Sequence, residues 1–172
     1  IIPDSLQGQE VIGIANASAY NTGVFYNKGI TSIQFPETIE FIGDNSFRQN
    51  SITNLDFSNF ESLTTIGIYA FVNSTALTSI DFTNCTALSI IETGAFQQCN
   101  LSSVNFSGCS ALETIGSSAF NTNSITTLDF SDCSALTLIK DRAFFVNELT
   151  SINFIGCTAL AKFEDYTFSH NL

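Results

Sequence analysis

The chain has 172 residues, 44% hydrophobic and 12% charged, which is enough apolar material for one packed domain and too much for a disordered segment. Sixteen acidic residues against five basic ones give a formal net charge of −11, a field that repels phosphate backbones and anionic lipid, so no nucleic-acid partner is expected. No apolar run approaches the roughly 18 residues of a membrane span, so no membrane insertion is expected either.

In chain order the sequence resolves into repeats. Residues 1–29 read as a partial coil: IIPDSLQGQEVIGI has lost its first strand, and six extra residues lie between Ile14 and Phe25, around ANASAYNTG. Six coils follow, starting at Ile30, Ile52, Leu77, Leu101, Ile125 and Leu149; the first has 22 residues, the second 25 and the last four 24 each. Together they predict a single solenoid domain over residues 1–172 with no internal linker.

The shared pattern is L-x-x-I-x-F-x-x-C-x-x-L-x-x-I-x-x-x-A-F. Phe35, Phe57, Phe82, Phe106, Phe130 and Phe154 hold position six; Phe25, Phe47, Phe71, Phe96, Phe120, Phe144 and Phe168 hold position twenty, so 13 of the 17 Phe are placed by the repeat. Because the other members of the pattern are also apolar and fall at fixed offsets, these rings read as a buried spine and not as a stacking surface for sugars or bases. Positions four and six share one face of an extended strand and position five the other. A strand of this kind cannot bury its apolar side alone; stacking in parallel joins the apolar sides into one core. The return leg, such as TIGSSAF after Leu112, is too short for a crossover helix and predicts a short strand followed by a tight or 3₁₀ turn. The 22-residue coil loses two residues in its FPET corner, where Pro36 suits a short turn.

Cys85, Cys109, Cys133 and Cys157 recur every 24 residues at position nine, which predicts a cysteine ladder. No close Cys pair of the kind zinc sites use is present, in-register side chains make poor disulfide partners, and five is an odd count, so buried free thiols are expected. Phe60 replaces Cys in one coil, which suits packing better than redox chemistry. Cys99 stands at position twenty-three, where other coils carry Asn50, Asn123, Asn147 and Asn171, whose side chains are expected to bond turn backbone. His170 reads as a surface residue, and no phosphate-binding loop occurs. No cofactor or metal is expected.

Position five reads Gln34, Asp56, Asp81, Asn105, Asp129 and Asn153, flanked by Ser and Thr such as Thr78, Ser79, Thr126 and Thr127. This polar, acidic stripe could bind a basic protein surface or weakly hold Ca²⁺, but a plain solvated face is the simpler reading, because solvent-facing strand positions are commonly polar. Asp56 and Asp81 on adjacent rungs approach the spacing of a retaining glycosidase pair, but nothing near them supplies the rest of a catalytic set, so no enzyme is expected.

The strand segment resembles a leucine-rich repeat with Cys where that family usually has Asn. The whole coil is similar to the BspA-like subfamily, whose repeats read approximately LTSIxIPxxVTSIGxxAFxxC. Phe35–Pro36, Ile42–Gly43 and Phe47 match that form, as do Ile2–Pro3, Gly8 and Val11. Later coils depart from it by replacing Pro with Ser or Thr and adding two corner residues. The resemblance implies a right-handed leucine-rich-repeat solenoid, mainly β with parallel strands, short convex strands and 3₁₀ or helical turns, in which the position-nine thiols satisfy corner backbone groups. It also implies a secreted or cell-surface protein with an adhesion-type, protein- or cell-binding role, the position-five column being the candidate contact surface. A structural spacer within a larger surface protein is the alternative. The last coil lacks a polar cap over Phe163 and Phe168, so the protein is expected to continue past Leu172 or to self-associate at that end.

Overall fold

The computed structural model describes every residue except Ile1, Asp4, Gly8, Ser18, Tyr20 and Leu172. Gly8 of the family pattern, Ser18 and Tyr20 of the inserted stretch and Leu172 at the expected open end therefore lie outside the described residues.

Among the described residues fourteen short strands follow in chain order: β1 (Ser5–Leu6), β2 (Gln9–Glu10), β3 (Gly13–Ile14), β4 (Phe41–Ile42), β5 (Asn54–Asp56), β6 (Thr65–Ile66), β7 (Ser79–Asp81), β8 (Ile90–Ile91), β9 (Ser103–Asn105), β10 (Thr114–Ile115), β11 (Thr127–Asp129), β12 (Leu138–Ile139), β13 (Ser151–Asn153) and β14 (Lys162–Phe163). β1 and β2 form an antiparallel hairpin. Five strands pair in parallel in the order β13-β11-β9-β7-β5, and seven in the order β14-β12-β10-β8-β6-β4-β3. The result is a parallel-strand solenoid of about six turns, as the repeat predicts.

The core is the pair of Phe columns. At position six, successive rings from Phe57 to Phe154 stack at 4.8–5.5 Å with planes within 9°. At position twenty, rings from Phe25 to Phe168 stack at 4.9–5.8 Å with planes within 17°. The two columns meet edge-on, as at Phe106 and Phe120, 5.6 Å apart at 83°. Stacking within a column and T-shaped contact between columns satisfy the ring quadrupole in both directions. In the interior coils these rings are wholly buried, together with the Leu and Ile at positions one, twelve and fifteen.

The structure departs from the sequence reading in two places. First, the return leg is a short strand followed by tight turns, as one of the two expected forms, but no 3₁₀ or helical turn occurs among the described residues, and the turns run through left-handed corners. Ser118 and Thr122, with φ of 55° and 58°, are one such pair; Arg142 and Val146 (53° and 55°) are the next. Their amides turn along the solenoid axis: Ser118 donates to Asp141 O, Phe120 to Ala143 O and Thr122 to Phe145 O, at 2.8–2.9 Å. Only the alternate amides bond within the coil, as Ala119 does to Gly116 O, so no helical series can propagate. Second, the coil starting at Ile30 contributes no strand to the five-stranded sheet, which begins at β5.

At the last coil Phe163 is 45% exposed and Phe168 half-buried. No helix among the described residues is long and apolar enough to cross a membrane.

Candidate functional site

Position five projects from the outer face of the five-stranded sheet because positions four and six turn inward: Leu55, Ile80, Val104 and Leu128 are buried between the Phe rings and the sheet. The pairing sets Asp56 opposite Asp81, Asp81 opposite Asn105, Asn105 opposite Asp129 and Asp129 opposite Asn153. Five of the six expected contact residues therefore form one column, about 4.8 Å per rung. The column lies along an open groove of about 520 Å³ that Asp56, Asp81, Asn105 and Asp129 line with Ser and Thr neighbours. Gln34 stands apart from the sheet, exposed, on the coil starting at Ile30.

The column also has a structural duty that the sequence reading missed. Each Asp or Asn accepts a hydrogen bond at Oδ1 from the amide two residues on: Asp56 from Ser58 (2.9 Å), Asp81 from Thr83 (2.9 Å), Asn105 from Ser107 (3.0 Å), Asp129 from Ser131 (2.8 Å) and Asn153 from Ile155 (3.0 Å). These are Asx turns that start the corner. The signal was present: in the coil that carries Gln34, position seven is Pro36, which has no amide hydrogen to offer. Cross-links join neighbouring rungs, Asn153 Nδ2 donating to Asp129 Oδ1 at 3.1 Å and Asn105 Nδ2 to Thr83 Oγ1 at 2.9 Å. Among the described residues no hydrogen bond engages the second carboxylate oxygen of Asp56, Asp81 or Asp129.

The corner after each Asx turn passes through a left-handed residue at position eight: Asn59, Asn84, Gly108, Asp132 and Gly156. These are the residue types that adopt that conformation at least cost. At Gly108 (φ 78°) the left-handed conformation itself favours glycine, and a Cβ there would only have to displace the Asn84 side-chain oxygen.

The thiols follow the expected role. Cys109, Cys133 and Cys157 each donate through Sγ at 3.1 Å to a position-six carbonyl of the preceding coil, those of Phe82, Phe106 and Phe130, and Cys85 donates to Phe60 O at 3.2 Å. All five cysteines are free thiols. Burial pushes Cys85, Cys99 and Cys109 up to about 12 and raises Cys133 and Cys157 as well. A thiolate is thus disfavoured at neutral pH, which makes these thiols poor nucleophiles.

The Asn residues at position twenty-three bond turn backbone as expected. Asn123 donates to Phe96 O and Phe120 O at 3.0 Å each and accepts from the Leu101 amide at 3.0 Å. Asn171 repeats the arrangement, Asn50 does so one coil after the inserted stretch, and Asn147 keeps the bond to Phe120 O and the one from the Ile125 amide. His170 is exposed and packs against the Phe145 ring at 4.6 Å. Among the described residues no three His, Cys, Asp or Glu side chains gather to hold a metal ion.

Comparison with known proteins bears on the coil itself. The chain is similar to a leucine-rich repeat protein from Bacteroides ovatus, at 17% identity over 92% of this chain and 58% of that one (TM-score 0.40). It is similar to a leucine rich cell surface protein from Faecalibacterium prausnitzii, at 22% identity over 95% of this chain and 46% of that one (TM-score 0.45). A leucine rich repeat protein from T. pallidum matches at 19% identity over 92% of this chain and 76% of that one (TM-score 0.44). The chain thus spans about half the length of the first two structures. No curated protein matches it. The family model for the BspA type leucine-rich repeat region matches residues 18–88 and 51–172, in six copies. With most of the sequence covered and the stacked coils in view, the chain belongs to the BspA-type leucine-rich repeat family.

Proposed function

We propose that this solenoid is a non-enzymatic, adhesion-type binding module of a secreted or cell-surface protein, and that the face of the five-stranded sheet captures a protein ligand. The observation that carries this reading is the in-register Asp and Asn column in its open groove, with one oxygen of each carboxylate left over from the Asx turns. No Lys or Arg occurs between Arg48 and Lys140, so the groove's own charge goes uncompensated by basic residues of those coils. A flat, repeated polar surface binds through many modest contacts summed over area, and an acidic one speeds the approach of basic partners. The resemblance to BspA-like proteins, typically surface-exposed and adhesive, points the same way.

The test is to immobilise the chain and measure its binding to a panel of secreted and cell-surface proteins at low and high salt. The expected result is saturable binding of at least one basic member, weakened as ionic strength rises. No saturable binding to any member, or binding indifferent to salt, would reject the reading in favour of a spacer.

A further inference from the structure

The junction between the coils starting at Ile30 and Ile52 is built differently from those that follow. At every later junction two corner amides bond forward to the next coil, as Phe57 does to Asp81 O (2.8 Å) and Asn59 to Thr83 O (2.8 Å). Here the corresponding bonds from Phe35 and Glu37 are not made, and no backbone hydrogen bond joins residues 32–39 to residues 54–63. Two of the side-chain ties are missing too, although Thr64 Oγ1 still donates to Glu40 O and Asp44 Oδ1 still accepts from the Ile68 amide: Phe60 stands where later coils place a thiol donor, and Ser74, whose buried Oγ has no hydrogen-bond partner, stands at position twenty-three where Asn would bridge. The Phe35 and Phe57 rings are tilted by 32°, against 9° or less further along the column. Yet the opposite sheet runs through unbroken, with Phe41 paired to Thr65 and Ile42 to Ile66. The corner between Phe35 and Ile39, two residues shorter than the one between Phe57 and Leu63, accounts for this: the returns match while the corners do not.

The mismatch leaves an open cleft of about 520 Å³ at the end of the acidic column. Ile2, Ile33, Phe35, Leu55 and Phe60 line it, and Asp56 stands among them with no Lys or Arg. Its volume lies within the range of small-ligand pockets, about 300–1,000 Å³. Phe35 is only half-buried, whereas Phe57, Phe82, Phe106 and Phe130 are wholly buried.

We propose that this cleft is the anchor point of the binding face and receives an aliphatic or aromatic side chain carried on a basic segment of a partner protein. The proposal rests on the sheet-face reading above and names the kind of partner segment that face takes. Apolar anchors seated in a pocket and ringed by polar contacts dominate protein interfaces. The charge of Asp56, continued by Asp81 on the next rung, selects cationic flanks on the ligand and disfavours a second copy of this acidic chain.

The test uses the isotope-labelled full chain titrated with three amidated tripeptides, Lys-Phe-Lys, Lys-Ala-Lys and Glu-Phe-Glu, followed by amide NMR shifts. Lys-Phe-Lys is expected to shift residues 33–35 and 54–58 and to bind at least about fivefold more tightly than either control. Ser58→Phe, which sets a ring at the cleft mouth, should abolish those shifts. Asp56→Lys should exchange the preference, losing Lys-Phe-Lys and gaining Glu-Phe-Glu, which keeps the test decisive if Ser58→Phe fails to fold. Equal binding of Lys-Ala-Lys or Glu-Phe-Glu would overturn the proposal, as would an unchanged preference in Asp56→Lys. Shifts at Asp81 and Asp129 with none at the cleft would overturn the anchor and leave the column reading standing; no shift anywhere on the sheet face would count against both.

Discussion

Single side chains close each coil, and their removal should be costly in proportion to what they leave unpaired. Asn123 holds two buried carbonyls and one amide, so Asn123→Ala should lower stability by about 3 kcal/mol, measurable by urea unfolding. The thiols make a different prediction. Burial raises their folded pKa above the ordinary 9.0, to about 12 for Cys85 and Cys109. Their contribution is therefore fully present below pH 9 and is lost as pH rises toward 12, because only the unfolded chain releases the proton in that window. Urea midpoints should fall between pH 9 and pH 11, and less steeply in a Cys85→Ala/Cys109→Ala variant. In the native state at pH 8 a thiol reagent should modify half-buried Cys157 first and the interior thiols only on unfolding.

At the scale of the element, the Asx turn is the unit that ties strand to corner. Asp129→Ala removes the bond to the Ser131 amide and the one from Asn153, and should cost about 1–2 kcal/mol. Gln34→Ala, ahead of Pro36, should be close to neutral; equal costs for the two would contradict the turn-capping role. This element also shows how far the sequence could be read. The Phe columns and the Asn at position twenty-three were legible because each recurs as one residue type at one offset. The capping role was legible only by contrast, Gln34 with Pro36 against Asp56 with Ser58. The left-handed corners were legible only in part: Asn45, Asn73 and Gly94 are residue types that favour that conformation, whereas Ser118, Thr122, Arg142 and Val146 at equivalent corners carry no mark of it, and the forward hydrogen bonds to the next coil impose it on them. Likewise the missing strand near Ile33 follows from a length mismatch between two coils, a relation that neither coil shows alone.

For the whole molecule, stability and the proposed binding face come from the same stacking. Phe106 touches Phe82 and Phe130 in its own column and Phe120 in the other, so Phe106→Ala should cost about 3–5 kcal/mol and loosen both neighbouring coils, seen as faster amide exchange there. The stack that seats this ring also sets Asp56, Asp81 and Asp129 on one line, so the proposed binding surface is a by-product of the repeat's regularity. Charge and turn duty can be separated, because Asn accepts the Asx bond as Asp does, as Asn105 and Asn153 demonstrate. The most direct measurement is thus the affinity of an identified protein ligand for the wild-type chain and for Asp56→Asn/Asp81→Asn/Asp129→Asn, with urea midpoints recorded for both. The account predicts matching midpoints and binding weakened by about tenfold or more; matching midpoints with undiminished binding would contradict it.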